Sequence, residues 1–175
     1  PEALIRLDSG IVDISCLAGT TKRGIDSEED EFLARALLLS EKERREHQLV
    51  VDRLVEVLRE TCDQLDWELE PSVIKLRNVQ HLRTSFTGRP KHRTGILGLV
   101  GKIHPTAALG GAPSSIALDL IRSLEGDRGW YAAPVGWIDH KGDGEFSVAI
   151  RSALVTGNQA TLFAGAGIIK GSDIR

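Results

Sequence analysis

Apolar residues recur at helical spacing in residues 40–60, SEKERREHQLVVDRLVEVLRE, where Val50, Leu54, Val57 and Leu58 form one stripe. Ser40 followed by Glu43 is a capping box, in which side chains satisfy amide donors left open at a helix start. Four residues before Val50 stands Glu46, which the same periodicity leans toward the buried side. An apolar side chain there would stabilise by roughly 1.5–3 kcal/mol, whereas an unpaired buried carboxylate would cost several kcal/mol. Either Glu46 bends out to water at the edge of the stripe, or a cation, a metal or a donor network compensates it.

Upstream, residues 3–7 (ALIRL) and 11–17 (IVDISCL) are short β-type runs, and the Asp8-Ser9-Gly10 turn between them predicts a hairpin. LAGTTKRG, residues 17–24, reads as a loop whose Gly19, Thr20 and Thr21 would let backbone amides and hydroxyls approach an anion. Ser27 with Asp30 opens a helix through Leu39. Beyond the long helix, a polar connection over residues 63–71 leads to SVIKLRNVQHLRTSF, a β-type segment carrying His81. Such a histidine is either a satisfied structural residue or a catalytic one. A helix is predicted around residues 95–103, and Pro105 and Pro113 exclude regular helix through HPTAALGGAP, residues 104–113. Ser114 then caps a helix to Glu125, with Ile116, Leu120 and Leu124 on one side.

From Trp130 onward the runs WYAAPVGWID, EFSVAIRSALV and QATLFAGAGII, separated by a KGDG turn and a Gly157-Asn158 turn, predict an antiparallel meander. Alternation in its middle strand places Phe146, Val148 and Ile150 on one face and Glu145, Ser147, Ala149 and Arg151 on the other. Arg151 is then a solvated strand residue or a bidentate clamp for a carboxylate. Gly165 and Gly167 lie inside a strand, where glycine marks a close approach of ligand or backbone. Together with Arg151 they suggest an anion pocket.

At 175 residues and 41% hydrophobic, the chain is long enough for one sizeable core and one domain. A net charge of -3 provides no basic surface for nucleic acid. Cys16 and Cys62 make neither a disulfide framework nor a metal quartet, which fits a reducing compartment. No apolar run approaches the ~20 residues of a membrane span, and no signal-peptide pattern opens the chain. A soluble, cytoplasmic protein is therefore expected. The opening Pro1, and a Gly-rich apolar strand running almost to Arg175, suggest a domain truncated at both ends.

Eight segments in order, PEALIRL, LAGTTKRG, LLLSEKERREHQLV, VQHLRT, HPTAALGGAP, RGWYAAPVGWID, GDGEFSVAIRSAL and LFAGAGIIKGSD, resemble the chorismate-utilising enzymes, and most closely the isochorismate synthases. The likeness covers essentially all of residues 1–175, a partial chorismate-binding catalytic domain. Aminating relatives, the anthranilate and aminodeoxychorismate synthase large subunits, usually show Asp-x-Lys-Glu-Arg at the helix start, a Pro-x-Gly-Thr loop, and Thr where this chain has Ala108. Here Ser40-Glu41-Lys42, His104-Pro105-Thr106 and His81-Leu82-Arg83-Thr84 stand instead, departures that point to isochorismate formation.

The resemblance implies an α+β fold of antiparallel sheets with flanking helices, with which the elements read above agree. It implies a Mg²⁺-dependent isomerisation of chorismate, with water adding at one ring carbon as hydroxyl leaves another, for menaquinone, siderophore or salicylate biosynthesis. Carried over by position, Glu46 would be a Mg²⁺ ligand, Glu2 the general acid, and His81 a hydrogen-bonding partner of the substrate near the reacting hydroxyls. Gly19, Thr20, Thr106 and Ala108 would shape the ring-carboxylate side. Arg151, Tyr131 and the amides around Gly165 and Gly167 would hold the enolpyruvyl carboxylate. An activating lysine upstream of Glu2 and a second glutamate ligand after the last strand are expected in the family outside residues 1–175, so these residues alone are expected to be inactive. No glutaminase subunit is expected. The alternatives are a salicylate synthase, an aminating synthase, and a non-catalytic chorismate-binding domain.

Overall fold

Strong alternation in the first 22 residues builds an antiparallel hairpin, Glu2–Asp8 (β1) with Ile11–Lys22 (β2). Its turn residues Ser9 and Gly10 both have positive φ, 52° and 76°, the pairing that matches strand twist in a two-residue turn. The structure is a computed structural model that describes residues 2–91 and 94–168. Along β2, Val12, Ile14, Cys16 and Ala18 are buried while Asp13 and Ser15 are exposed, so one face of the sheet carries the core.

Two helices cover that face. Ser27–Leu39 (α1) is capped by Asp26, which accepts from the amides of Glu28 and Glu29 at 3.0 and 2.9 Å, rather than by the predicted Ser27–Asp30 box. Asp30 is drawn inward: it accepts from both Nε and Nη2 of Arg23, from the Gly24 amide and from Gln80, and pairs with Lys75. The Arg23 guanidinium is the first cause holding its carboxyl well below the ordinary range. Glu41–Thr61 (α2) begins as predicted, with Ser40 Oγ accepting from the Glu43 amide. The reciprocal half of the box is not made, because the Ser40 amide donates to Leu37 O. Val50, Leu54, Val57 and Leu58 are buried against the sheet, as their spacing requires.

The supposed polar connection over residues 63–71 is partly an edge strand, Cys62–Trp67 (β3). Ser72–Lys75 (β4) and Val79–Pro90 (β5) split the next β-type segment into a hairpin. Ile96–Ile103 (α3) packs on β1. The following Pro-bounded loop contains one helical turn, Ala107–Gly110 (α4), which the prolines did not suggest. Ser114–Glu125 (α5) forms as predicted, but Pro113, not Ser114, occupies its N-cap and no side chain caps it. Its stripe of Ile116, Leu120 and Leu124 is exposed.

The predicted meander is broken. Pro134–Ile138 (β6) pairs with Gly144–Val148 (β7), completing a sheet of order β3-β5-β2-β1-β7-β6 with β4 also on β5. Ser152–Thr156 (β8) leaves that sheet and, among the described residues, pairs only with Gln159–Phe163 (β9). The turn-off is at Arg151, whose φ of 49° lies in the left-handed region and cannot continue a strand. Gly165 and Gly167 therefore follow β9 instead of lying inside a strand, and Ile169 lies outside the described residues. The α+β class with antiparallel sheets and flanking helices holds.

Candidate active site

Two departures from regular strand shape a cavity beside the sheet. In β2 the pairing with β5 shifts register between Ala18 and Thr20, and Gly19 at the bulge has φ 76°. The LAGTTKRG segment is thus the bulged end of β2 through Lys22, not a free loop. A Cβ on Gly19 would stand 3.2–3.3 Å from Leu82 and Glu43, so the bulge is pressed against α2. The second departure is the break at Arg151, faced by Ala132, which also has positive φ (64°) and whose amide donates to Ala149 O. Left-handed non-glycine residues cost of order 1–3 kcal/mol each and concentrate at functional sites.

Between these features lies a cavity of about 480 Å³, within the size range of small-molecule sites. Its wall brings together Glu2, Gly19, Thr20, Glu46, His81, Ala108, Tyr131, Arg151, Gly165 and Gly167 from positions 165 residues apart in the chain. Thr106 is the exception among the expected site residues. It lines a separate space of about 50 Å³ alongside Ala108, and its carbonyl accepts from Leu109 and Gly110 to hold the α4 turn.

Arg151 Nη2 donates to Glu2 Oε1 at 2.8 Å, so the two side chains expected to clamp a carboxylate and to carry a proton face each other. Thr20 Oγ1 and His81 Nδ1 are 2.9 Å apart, while His81 Nε2 is buried with no partner among the described residues. Burial, ahead of every charge nearby, lowers the His81 pKa and keeps the ring neutral. Tyr131 stacks on Phe163 with 5.7 Å between centroids, and its hydroxyl abuts the place where a Gly165 side chain would be. That contact requires glycine at 165.

The family profile described as chorismate binding enzyme matches residues 1–175. The chain belongs to the chorismate-binding enzymes. Isochorismate synthase MenF of Bacillus subtilis is 45% identical over 174 residues, which are 99% of this chain and 37% of the relative. The salicylate biosynthesis isochorismate synthase of Pseudomonas aeruginosa is 48% identical with the same coverage, 99% and 37%. MenF, the menaquinone-specific isochorismate synthase of Escherichia coli, superposes with a TM-score of 0.90 at 35% identity, covering 99% of this chain and 40% of that one. This chain thus spans 37% of the length of these two curated relatives, well under half.

For a chorismate-binding enzyme the donor set bears on magnesium. Among the described residues no three His, Cys, Asp or Glu side chains converge on one point. Glu46 is half-buried on the cavity wall and makes no ion pair or hydrogen bond among the described residues. A lone carboxylate of this kind fits part of a magnesium shell, which takes one or two carboxylates and fills its other positions with water and substrate oxygens. The pattern that pointed to Glu46 also contained His47, which lies three, seven and eleven residues before Val50, Leu54 and Leu58 and is the more deeply buried of the pair. Arg128 was also missed. It lines the cavity, donates to Leu109 O and to both Glu125 oxygens, and stands 5.7 Å from the Tyr131 ring centroid.

Among the described residues no helix is long and apolar enough to cross a membrane. Cys16 is buried, and burial first, then the Glu2 charge, pushes its thiol up to about 12. Cys62 is raised too, chiefly by burial, so both behave as packing residues.

Proposed function

We propose that the protein containing this chain is an isochorismate synthase, converting chorismate to isochorismate with Mg²⁺ and without a glutaminase subunit. The supporting observation is the meeting, on one cavity wall, of the Arg151 guanidinium, the Glu2 and Glu46 carboxylates and a buried His81 nitrogen that has no partner among the described residues. Chorismate carries two carboxylates and a ring hydroxyl: Arg151 suits one carboxylate, a cation held by Glu46 the other, and Glu2 and His81 both suit the hydroxyl.

Arg151 has five N–H donors and makes one hydrogen bond to Glu2, which leaves a fork for the enolpyruvyl carboxylate. A substrate carboxylate on that guanidinium would displace Glu2 from the ion pair, and Glu2, once it has taken up a proton away from the cation, would give that proton to the departing hydroxyl, which leaves as water. His81 Nε2 would meet the reacting hydroxyls, its ring oriented by Thr20. The Gly19–Thr20 bulge and Ala108 would border the ring carboxylate, with Tyr131, Gly165 and Gly167 completing the enolpyruvyl side. Glu46 would hold Mg²⁺, which when bound supplies positive charge against the ring carboxylate.

The identities of 45% and 48% to isochorismate synthases support this reading over an aminating one. The test is to express the complete open reading frame and incubate it with chorismate, resolving products by chromatography with Mg²⁺ or with excess chelator. Isochorismate that forms only with Mg²⁺ is the expected result. Salicylate with pyruvate would assign a salicylate synthase instead, and an aminated product that needs ammonium would overturn the reading.

A further inference from the structure

Glu46 and His47 are neighbours on α2 that point different ways, Glu46 onto the cavity wall and His47 into the sheet, where it is 2% exposed. His47 Nδ1 lies 3.2 Å from Ala18 O and Nε2 lies 2.8 Å from Thr84 Oγ1. A carbonyl only accepts, so Nδ1 carries the proton and donates, and Nε2 accepts from the Thr84 hydroxyl.

Ala18 opens the β2 bulge, the place where the ladder to β5 shifts register and backbone groups lose their regular partners. One turn earlier on α2, Glu43 Oε2 accepts from the amide of Thr20, on the other side of Gly19. Two side chains four residues apart on one helix thus grip both flanks of Gly19. Glu46 projects from the same turns, and Thr20 reaches on to His81.

We propose that His47 is a positioning residue: by tying α2 to Ala18 of the bulge and Thr84 of β5, it fixes Glu46 in register with Thr20 and His81 across the cavity. This rests on the metal and substrate roles proposed above. The arrangement is sensitive to which bond is lost. Asparagine can donate from near the Nδ1 position and keep the bond to Ala18, glutamine can reach toward Thr84 but not Ala18, and leucine fills the space with neither bond.

The experiment uses the complete protein and its His47→Asn, His47→Gln, His47→Leu and Thr84→Val variants. It measures Mn²⁺ dissociation constants by electron paramagnetic resonance, kcat and KM for chorismate, and thermal midpoints, at a temperature where circular dichroism shows every variant folded. His47→Gln and His47→Leu, which lose the bond to Ala18, are expected to weaken Mn²⁺ binding and lower kcat/KM at least tenfold, with His47→Asn, which keeps that bond and loses only the one to Thr84, losing three- to tenfold. Thr84→Val, which removes only a hydroxyl, should show a three- to tenfold loss and serves if the His47 variants do not fold. Lower midpoints with parental Mn²⁺ affinity and kcat/KM, or a parental Thr84→Val, would overturn the proposal and leave His47 a packing residue. A parent that binds no Mn²⁺ would also overturn it. A parent that binds Mn²⁺ but does not isomerise chorismate, with binding lost in His47→Gln, would sink the functional reading and keep the positioning role.

Discussion

Arg151 combines two properties that ordinarily conflict, a left-handed backbone and a long charged side chain. Three residues after the end of β7 its φ of 49° directs the chain into β8, and the guanidinium lies on the cavity wall beside Glu2. Substitution should therefore separate conformation from binding. Arg151→Ala and Arg151→Gly each remove the charge-assisted hydrogen bonds, worth about 1.5–3 kcal/mol, and should raise KM for chorismate by roughly tenfold to a hundredfold. Glycine relieves the left-handed strain that alanine keeps, so Arg151→Gly should have the higher thermal midpoint of the two at similar KM. Steady-state kinetics on the complete protein with parallel melts checks both, and unchanged KM in either variant removes Arg151 from substrate binding.

At the scale of elements, the informative unit is the contact of α2 with the β2 bulge. Gly10 and Gly19 share a φ of 76°, but a Cβ on Gly10 meets nothing within 4 Å whereas on Gly19 it meets Leu82 and Glu43 at 3.2–3.3 Å. Gly10→Ala should therefore cost about 1–2 kcal/mol, the left-handed penalty alone. Gly19→Ala should cost more, because it also pushes α2 from the strand and displaces Glu46 and Thr20. Urea titration of the two variants measures the difference, and equal losses would show that the bulge is not pressed on α2. Elements whose signals are local matched expectation: the first hairpin, the start of α2 and the helix near residues 95–103. Those that depend on distant partners did not. β3 is a strand because β5 offers it an edge, and its polar residues 63, 64 and 66 carry no apolar pattern of their own.

For the whole molecule, three histidines record how the core and cavity are desolvated. His47, His81 and His104 all have pKa values lowered from the ordinary 6.5, with burial as the first cause in each. A folded state that resists protonation binds fewer protons than the unfolded chain once pH falls below 6.5, so stability is full above that value and declines as pH drops toward the depressed folded values. Denaturant midpoints measured from pH 8 to pH 5 should be flat at first and then fall. Replacing His47 with Asn should flatten that fall, and an unchanged slope would show that its burial is not felt in solution.

Spacing along the chain was sufficient to determine the first hairpin, the helices other than α4, the apolar stripe of α2 and the presence of a carboxylate beside it, because each rests on a pattern among residues a few positions apart. The residues themselves also singled out Gly19, Thr20, His81 and an anion pocket of Arg151, Gly165 and Gly167, and the likeness of eight segments to a family added Glu2, Thr106, Ala108 and Tyr131. Only the tertiary structure decided that β2 bulges at Gly19, that the chain turns out of the sheet at Arg151, that Thr106 stands aside in its own small space, and that His47 rather than Glu46 enters the core. Each depends on hydrogen bonds or steric contacts between residues far apart in the chain, such as Ala18 with His47 and Glu2 with Arg151, and local periodicity carries no term for such partners.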